Sequence, residues 1–199
     1  RLISVKVKST GEPLADFLYD AQNRRVLQAG QFANGEYGTS RRYVYDGWRL
    51  TSEYFEDPGT GEHLLSEYVY GEYLDEVWMR DRQVQSGPLY IVERIFYMHD
   101  PLYSVCGITD DIGVLIEAYE YDAYGNRSVI TDGPDQDYMV NFTADDVWGT
   151  LSPKAIRASY TGQRLDLPTG LYYYKNRYYN AELGRFMSRD PVGFVDGLN

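Results

Sequence analysis

The sequence predicts an all-β fold laid out as one continuous antiparallel sheet of tandem hairpins. Three observations carry that expectation. A short motif, an aromatic or β-branched residue, any residue, then tyrosine, recurs five times at nearly constant spacing. Tyrosine is the dominant aromatic, with 21 residues beside 7 Phe and 3 Trp, and it alternates within the runs that carry it. Asp, Asn, Gly and Pro fall between those runs, where a hairpin has to bend.

The chain opens on Arg1-Leu2-Ile3-Ser4-Val5-Lys6-Val7, already alternating and without an initiator methionine, and reads as a piece of a longer protein. The motif follows as Phe17-Leu18-Tyr19-Asp20, Tyr43-Val44-Tyr45-Asp46, Tyr68-Val69-Tyr70-Gly71, Ile95-Phe96-Tyr97-Met98 and Tyr119-Glu120-Tyr121-Asp122. Its anchor tyrosines at 19, 45, 70, 97 and 121 stand 26, 25, 27 and 24 residues apart. About 25 residues accommodate two strands of ordinary length and two turns, so each repeat is one hairpin. Asp20-Ala21-Gln22-Asn23-Arg24 and Asp122-Ala123-Tyr124-Gly125-Asn126-Arg127 bend the chain at one end. The segments 57–61, 86–88 and 110–113 close the other.

The repeats occupy residues 1–132. Residues 133–158 break the period and read as an insertion, acidic at the start, with a short helix capped by Thr143 and acidic at Asp145 and Asp146. Residues 159–199 form a terminal unit whose first strand is expected at Ser159–Gly162. Its tyrosine runs are 172–174 and 178–179, and its glycines mark turns.

The net charge of −11 argues against electrostatic affinity for nucleic acid or an anionic membrane. Acidic charge on this scale keeps a large β surface soluble. Cys106 is the one cysteine, so no intrachain disulfide forms, and its apolar strand context predicts a buried structural thiol. No apolar run is long enough to span a membrane, and no signal peptide is visible. Zinc spacing is missing, and Asp132, Asp135 and Asp137 fail the pattern of a calcium loop, so neither metal nor cofactor is expected. His63 and His99 lie near acids but lack a nucleophile context. The pairs Arg24-Arg25 and Arg41-Arg42 read as solvated charge at strand ends. Asn126 and Asn141 head glycosylation sequons, meaningful only in a secreted eukaryotic chain.

With these residues in view, the chain resembles RHS or YD-repeat proteins and ends in what resembles the RHS repeat-associated core. The repeat signature is clearest at Tyr19-Asp20 and at Tyr121-Asp122 through Gly125, with Tyr45-Asp46, Tyr70 and Tyr97 as further members. The core signature runs through Tyr160, Gly162, Gly170, Tyr172, Tyr173, Arg177, Tyr178, Tyr179, Gly184, Arg185, Phe186, Pro191 and Gly193. The resemblance implies a sheet wound spirally into part of a hollow shell, with an inward-turning C-terminal plug. It implies as partners the rest of a parent shell and an enclosed C-terminal toxin domain or a surface receptor. Secretion or surface delivery comes with it.

Three functions follow from that resemblance. The first is a non-enzymatic shell that encloses or presents toxin cargo. A teneurin-like surface adhesion module is the second. The third is an aspartyl autoprotease core, as in toxin-complex proteins, which carries over to Asp190 and Asp196 with Arg189 setting their charge. Two close carboxylates can share a proton and divide acid and base roles. Equally, Asp190 and Asp196 can cap turns, with Arg189 pairing with either.

Overall fold

The computed structural model describes residues 1–30, 39–57, 59, 61–86, 89–131, 147–149 and 152–191. Its strands are β1 (Ser4–Lys6), β2 (Pro13–Tyr19), β3 (Arg25–Gly30), β4 (Thr39–Asp46), β5 (Arg49–Asp57), β6 (Gly61–Tyr70), β7 (Val77–Ser86), β8 (Leu89–His99), β9 (Val105–Thr109), β10 (Leu115–Tyr121), β11 (Arg127–Thr131), β12 (Val147–Gly149), β13 (Arg164–Asp166), β14 (Leu171–Tyr174), β15 (Arg177–Asn180) and β16 (Arg185–Phe186). Strands β1 to β12 form one sheet in strict sequence order, and β13 to β16 form a second. Each neighbouring pair for which a register exists runs antiparallel, as chains of hairpins must. The fold is all-β, as the repeat predicts.

The repeat fixes which face is covered. In each motif the first residue is buried: Phe17, Tyr43, Tyr68, Ile95 and Tyr119. The middle residue points the other way, exposing Leu18, Val69 and Phe96, because successive strand residues alternate faces. In three repeats the anchor two residues on returns to the inner face and spends its hydroxyl on backbone in or beside the strand before. Tyr19 donates to the Leu2 carbonyl at 2.5 Å, Tyr45 to Arg25 O at 2.8 Å and Tyr121 to Val105 O at 2.7 Å. Burial lifts these phenols, Tyr19 to about 12, so they remain hydrogen-bond donors at neutral pH.

A register shift precedes the anchor in four repeats, between Leu18 and Tyr19, Val44 and Tyr45, Val69 and Tyr70, and Met98 and His99. The fourth therefore puts His99, not Tyr97, at the anchor place. Tyr97 holds the buried position that Phe17 and Tyr43 hold elsewhere. The turns agree. Asp20 Oδ1 accepts the N–H groups of Gln22 and Arg24, and Asp122 Oδ1 those of Tyr124 and Asn126. Asp100, directly after His99, accepts from Leu102 and Ser104 in the same pattern. Asp110 repeats it at the opposite end of the sheet with Ile112 and Val114. One carboxylate thus satisfies two N–H groups that a tight loop would leave open.

Two expectations change. Ser159–Gly162 is not a strand: residues Tyr160–Gly162 make a 3-10 turn, with Thr161 at φ 48 and Gly162 at φ 70. The chain reverses there, and Ser159 donates its N–H to the Gln163 carbonyl at 3.0 Å. Cys106 is only half-buried. The helix expected near Thr143 lies outside the described residues, as do Asp132, Asp135, Asp137 and Asn141. Beyond them β12 pairs with β11 through Val147–Gly149, so the large sheet gains its twelfth strand there.

Candidate functional site at the seam between the sheets

The second sheet sits on the inner face of the first, and their seam is polar. Apolar packing supplies one side of it: Leu171, Tyr173 and Tyr178 close on Ala15 and Phe17, while Ile156 and Ala158 join Tyr43, Leu50, Tyr68 and Ile95. Through the middle runs a network of buried charge.

Arg25, at the start of β3, is 1% exposed. Its guanidinium lies over three rings, Phe17 at 5.2 Å, Tyr43 at 5.0 Å and Tyr173 of the second sheet at 4.8 Å. Its Nη1 stands 3.7 Å from Oδ1 of Asp166, which is fully buried in β13. At that distance the attraction is Coulombic rather than a hydrogen bond. Asp166 Oδ1 instead accepts from Gln28 Nε2 at 2.7 Å, and Oδ2 from Thr169 Oγ1 at 2.6 Å. Tyr43 donates to Gln28 Oε1 at 2.7 Å and so fixes which way that amide points.

The reverse pairing lies alongside. Arg164 of β13 binds Glu53 of β5, which is 1% exposed and also takes Tyr68 OH at 2.9 Å and Arg41 Nη1 at 3.5 Å. Burial pushes the Glu53 carboxyl up, but Arg164, Arg157 and Arg41 outweigh it and hold the group well below the usual carboxylate range. So each sheet lends the other one cation and one carboxylate. Ion pairs of this kind add little net stability over apolar packing, but breaking one half is costly, which makes them registers.

Segment 152–158 links the two sheets and is gripped by its backbone. Arg80 Nη2 donates to Lys154 O at 2.8 Å, and Arg127 Nη1 to Ile156 O at 2.9 Å. Glu117 Oε1 accepts the Lys154 N–H at 2.7 Å and its Oε2 the Ser152 hydroxyl at 2.5 Å.

The tyrosines singled out by sequence meet the repeat turns. Tyr172 donates to Gly125 O at 2.8 Å and Tyr179 to Tyr124 O at 2.9 Å. Tyr173 OH accepts the Arg25 N–H at 2.9 Å, and Tyr178 OH shares a hydrogen with Tyr19 OH at 3.0 Å. Tyr160 packs between Tyr121 and Tyr172 with its ring tilted to both, at 5.6 and 6.3 Å. Two glycines permit the approach: a Cβ at Gly125 would lie 2.6 Å from the Tyr160 ring, and one at Gly162 would lie 2.4 Å from the Asp75 carbonyl. Asp75 in turn holds Lys175 Nζ at 2.7 Å and Gln163 Nε2 at 2.8 Å. Gly184 packs its Cα face on Tyr124, and Gly170, at φ 68, closes the β13–β14 turn.

The residues proposed for chemistry are placed differently. Asp190 is exposed at the rim, its Oδ2 3.0 Å from Arg177 Nη2, and Arg177 lies 3.8 Å above the Phe186 ring. Arg185, Arg189 and Pro191 are exposed as well. Asp196 and Gly193 lie outside the described residues, so no carboxylate pair is described at Asp190. Among the described residues no group of three or more His, Cys, Asp or Glu side chains could hold a metal.

Sequence reasoning placed Arg25 and Arg41 in solvent, and the structure overturns that: Arg25 is enclosed, and the Arg41 side chain is 13% exposed. A β-strand start is normally wet. Here the second sheet covers it. Glu53, Arg157, Arg164 and Asp166 were not singled out at all. The one available signal was Arg164-Leu165-Asp166, opposite charges two apart and therefore on one strand face.

No family model matches the sequence. The chain is 28% identical over 196 residues to the tRNA nuclease WapA of Bacillus subtilis (strain 168), covering 98% of this chain and 7% of that protein. It is 35% identical over 201 residues to toxin subunit YenC2 of Yersinia entomophaga, covering 96% of this chain and 18% of that protein. In fold it is similar to the crystal structure of TcdB2-TccC3-TEV, with a TM-score of 0.56 and 18% identity over 97% of this chain and 8% of that one. The chain thus spans less than a fifth of the length of these relatives. Along nearly its whole length it is similar to stretches of RHS-like, toxin-related proteins.

Proposed function

We propose that this chain is a structural segment of a shell, in which repeats form wall and the C-terminal sheet seals the inner face, so that a toxic domain is enclosed or presented. One observation carries the reading. The second sheet is held on the inner face by exchanged buried ion pairs and by tyrosine hydroxyls that bind turn backbone, an arrangement suited to permanent closure. Its partners on this reading are further shell wall and the enclosed domain, and delivery is extracellular. The toxin relatives support this.

The test uses the parent protein. Protease treatment is expected to spare the polypeptide that follows this segment, and Arg25→Met combined with Gly162→Ala is expected to expose it. Cleavage of that polypeptide in the unaltered protein, or protection that survives the double substitution, would sink the proposal.

We assign Asp190 to the fold of the rim through its pair with Arg177. Asp190→Asn in the parent is expected to leave the pattern of chain products unchanged; loss of a processed product would make it catalytic instead.

A further inference from the structure

The interior of the seam has more donors and more positive charge than it can satisfy. Among the described residues, buried nitrogens without a hydrogen-bond partner include Arg25 Nε, Arg80 Nε, both Nε and Nη2 of Arg127, and Arg157 Nη1. No described buried carboxylate oxygen lacks one. Three carboxylates are buried in the seam, Glu53, Glu117 and Asp166, yet four guanidinium groups converge on two of them alone: Arg41 and Arg164 at Glu53, Arg25 and Arg157 at Asp166. The imbalance is opposite in sign to the whole chain, whose net charge is −11. Buried charge without a counter-charge is strongly unfavourable.

Arg157 is where the imbalance is sharpest. It is 4% exposed, and its Nη1 stands 3.9 Å from Asp166 Oδ1, beyond hydrogen-bond reach. Burial first, and then the neighbouring Arg41, lower this guanidinium to about 10, so it stays charged at neutral pH. Water could accept from Nη1 but would not offset the charge.

We infer that a small monovalent inorganic anion of the halide class binds at Arg157 Nη1 inside the seam and balances its guanidinium cluster. The anion would join both sheets electrostatically, because Arg25 and Arg41 belong to the repeats while Arg157 and Arg164 belong to the covering segment.

The probe is bromide, with chloride and gluconate at matched ionic strength. Ligand binding to the folded state alone raises the melting temperature, by about 5 °C or more at a hundredfold excess over the dissociation constant for a chain of this size. Chloride and bromide are expected to give that rise over gluconate, and Arg157→Gln to abolish the difference. Because that variant could fail to fold, crystals of the unaltered chain in bromide supply an independent reading. An anomalous peak in contact with Arg157 Nη1 supports the site. Equal melting temperatures in all three salts, or ordered water without anomalous signal at that nitrogen, overturns it.

Discussion

Replacing Arg25 by methionine tests whether the seam is held by charge or by packing alone. Methionine keeps most of the side-chain length and removes the guanidinium, so a cavity contributes little. What is lost is the cation over three rings and the partner of Asp166. Breaking one half of a buried ion pair costs about 3–5 kcal/mol. Asp166 keeps Gln28, Thr169 and the more distant Arg157, which places the loss at the lower end. The cation–π contacts add about 1 kcal/mol. The expected destabilisation is therefore about 3–4 kcal/mol. With a urea slope of about 3 kcal/mol/M, the midpoint falls by roughly 1 M at unchanged slope.

The decisive comparison is a cycle with Asp166→Asn. If the two groups stabilise each other, the double variant costs less than the two single losses together by about 1 kcal/mol or more. Strict additivity, or an Arg25→Met loss below about 1 kcal/mol, would refute the claim that this pair registers the sheets.

Three further outcomes follow. Gly162→Ala is expected to cost about 3 kcal/mol and raise protease sensitivity of residues 164–191, because it adds a clash with Asp75 to a positive φ; Gly113→Ala, at φ 89 but with nothing within 4 Å, is expected to cost about 1 kcal/mol in a denaturant titration. His99 is held below its ordinary value of 6.5 chiefly by burial, against Glu76 and Asp100, so stability falls as pH drops from 6.5 toward the folded value, and His99→Tyr is expected to remove that fall in melting curves recorded from pH 7.5 to 5. Glu53, held below its ordinary 4.5, contributes in full above that pH and loses its contribution progressively as pH falls from 4.5 toward the much lower folded value; the seam is expected to stay closed at pH 5, and Glu53→Gln to flatten the acid limb.

The hairpins were legible because strand alternation and turn chemistry are local. Phe17, Tyr43 and Tyr68 face inward for the reason their neighbours face out, and no distant partner is needed to know it. The fourth anchor was misread because tyrosine identity was followed instead of the turn. Asp100 performs the two-fold N–H capping that Asp20 and Asp122 perform, and the anchor is whatever precedes it, here His99. The buried arginines were not legible. Whether Arg25 is wet or enclosed depends on Asp166 and Tyr173, which arrive from the far end of the chain. The tyrosines of the terminal unit could be named in advance, but not their acceptors, since these are backbone carbonyls that any sequence supplies.

That last point bears on why tyrosine is used so heavily. A covering sheet that bound side chains would need a matched partner at every contact. Tyr172 and Tyr179 bind instead to the carbonyls of Gly125 and Tyr124, which the Asp122 turn holds in place, and Tyr173 binds the N–H of Arg25 just after the Asp20 turn. The ring supplies burial and the hydroxyl reaches a polar atom that would otherwise be covered dry. The Tyr-Asp repeat then has two roles. Its tyrosine joins one strand to the strand before, and its aspartate shapes a turn whose backbone faces the closing sheet. Gly125 of that turn has no room for a side chain, because Tyr160 lies where its Cβ would be.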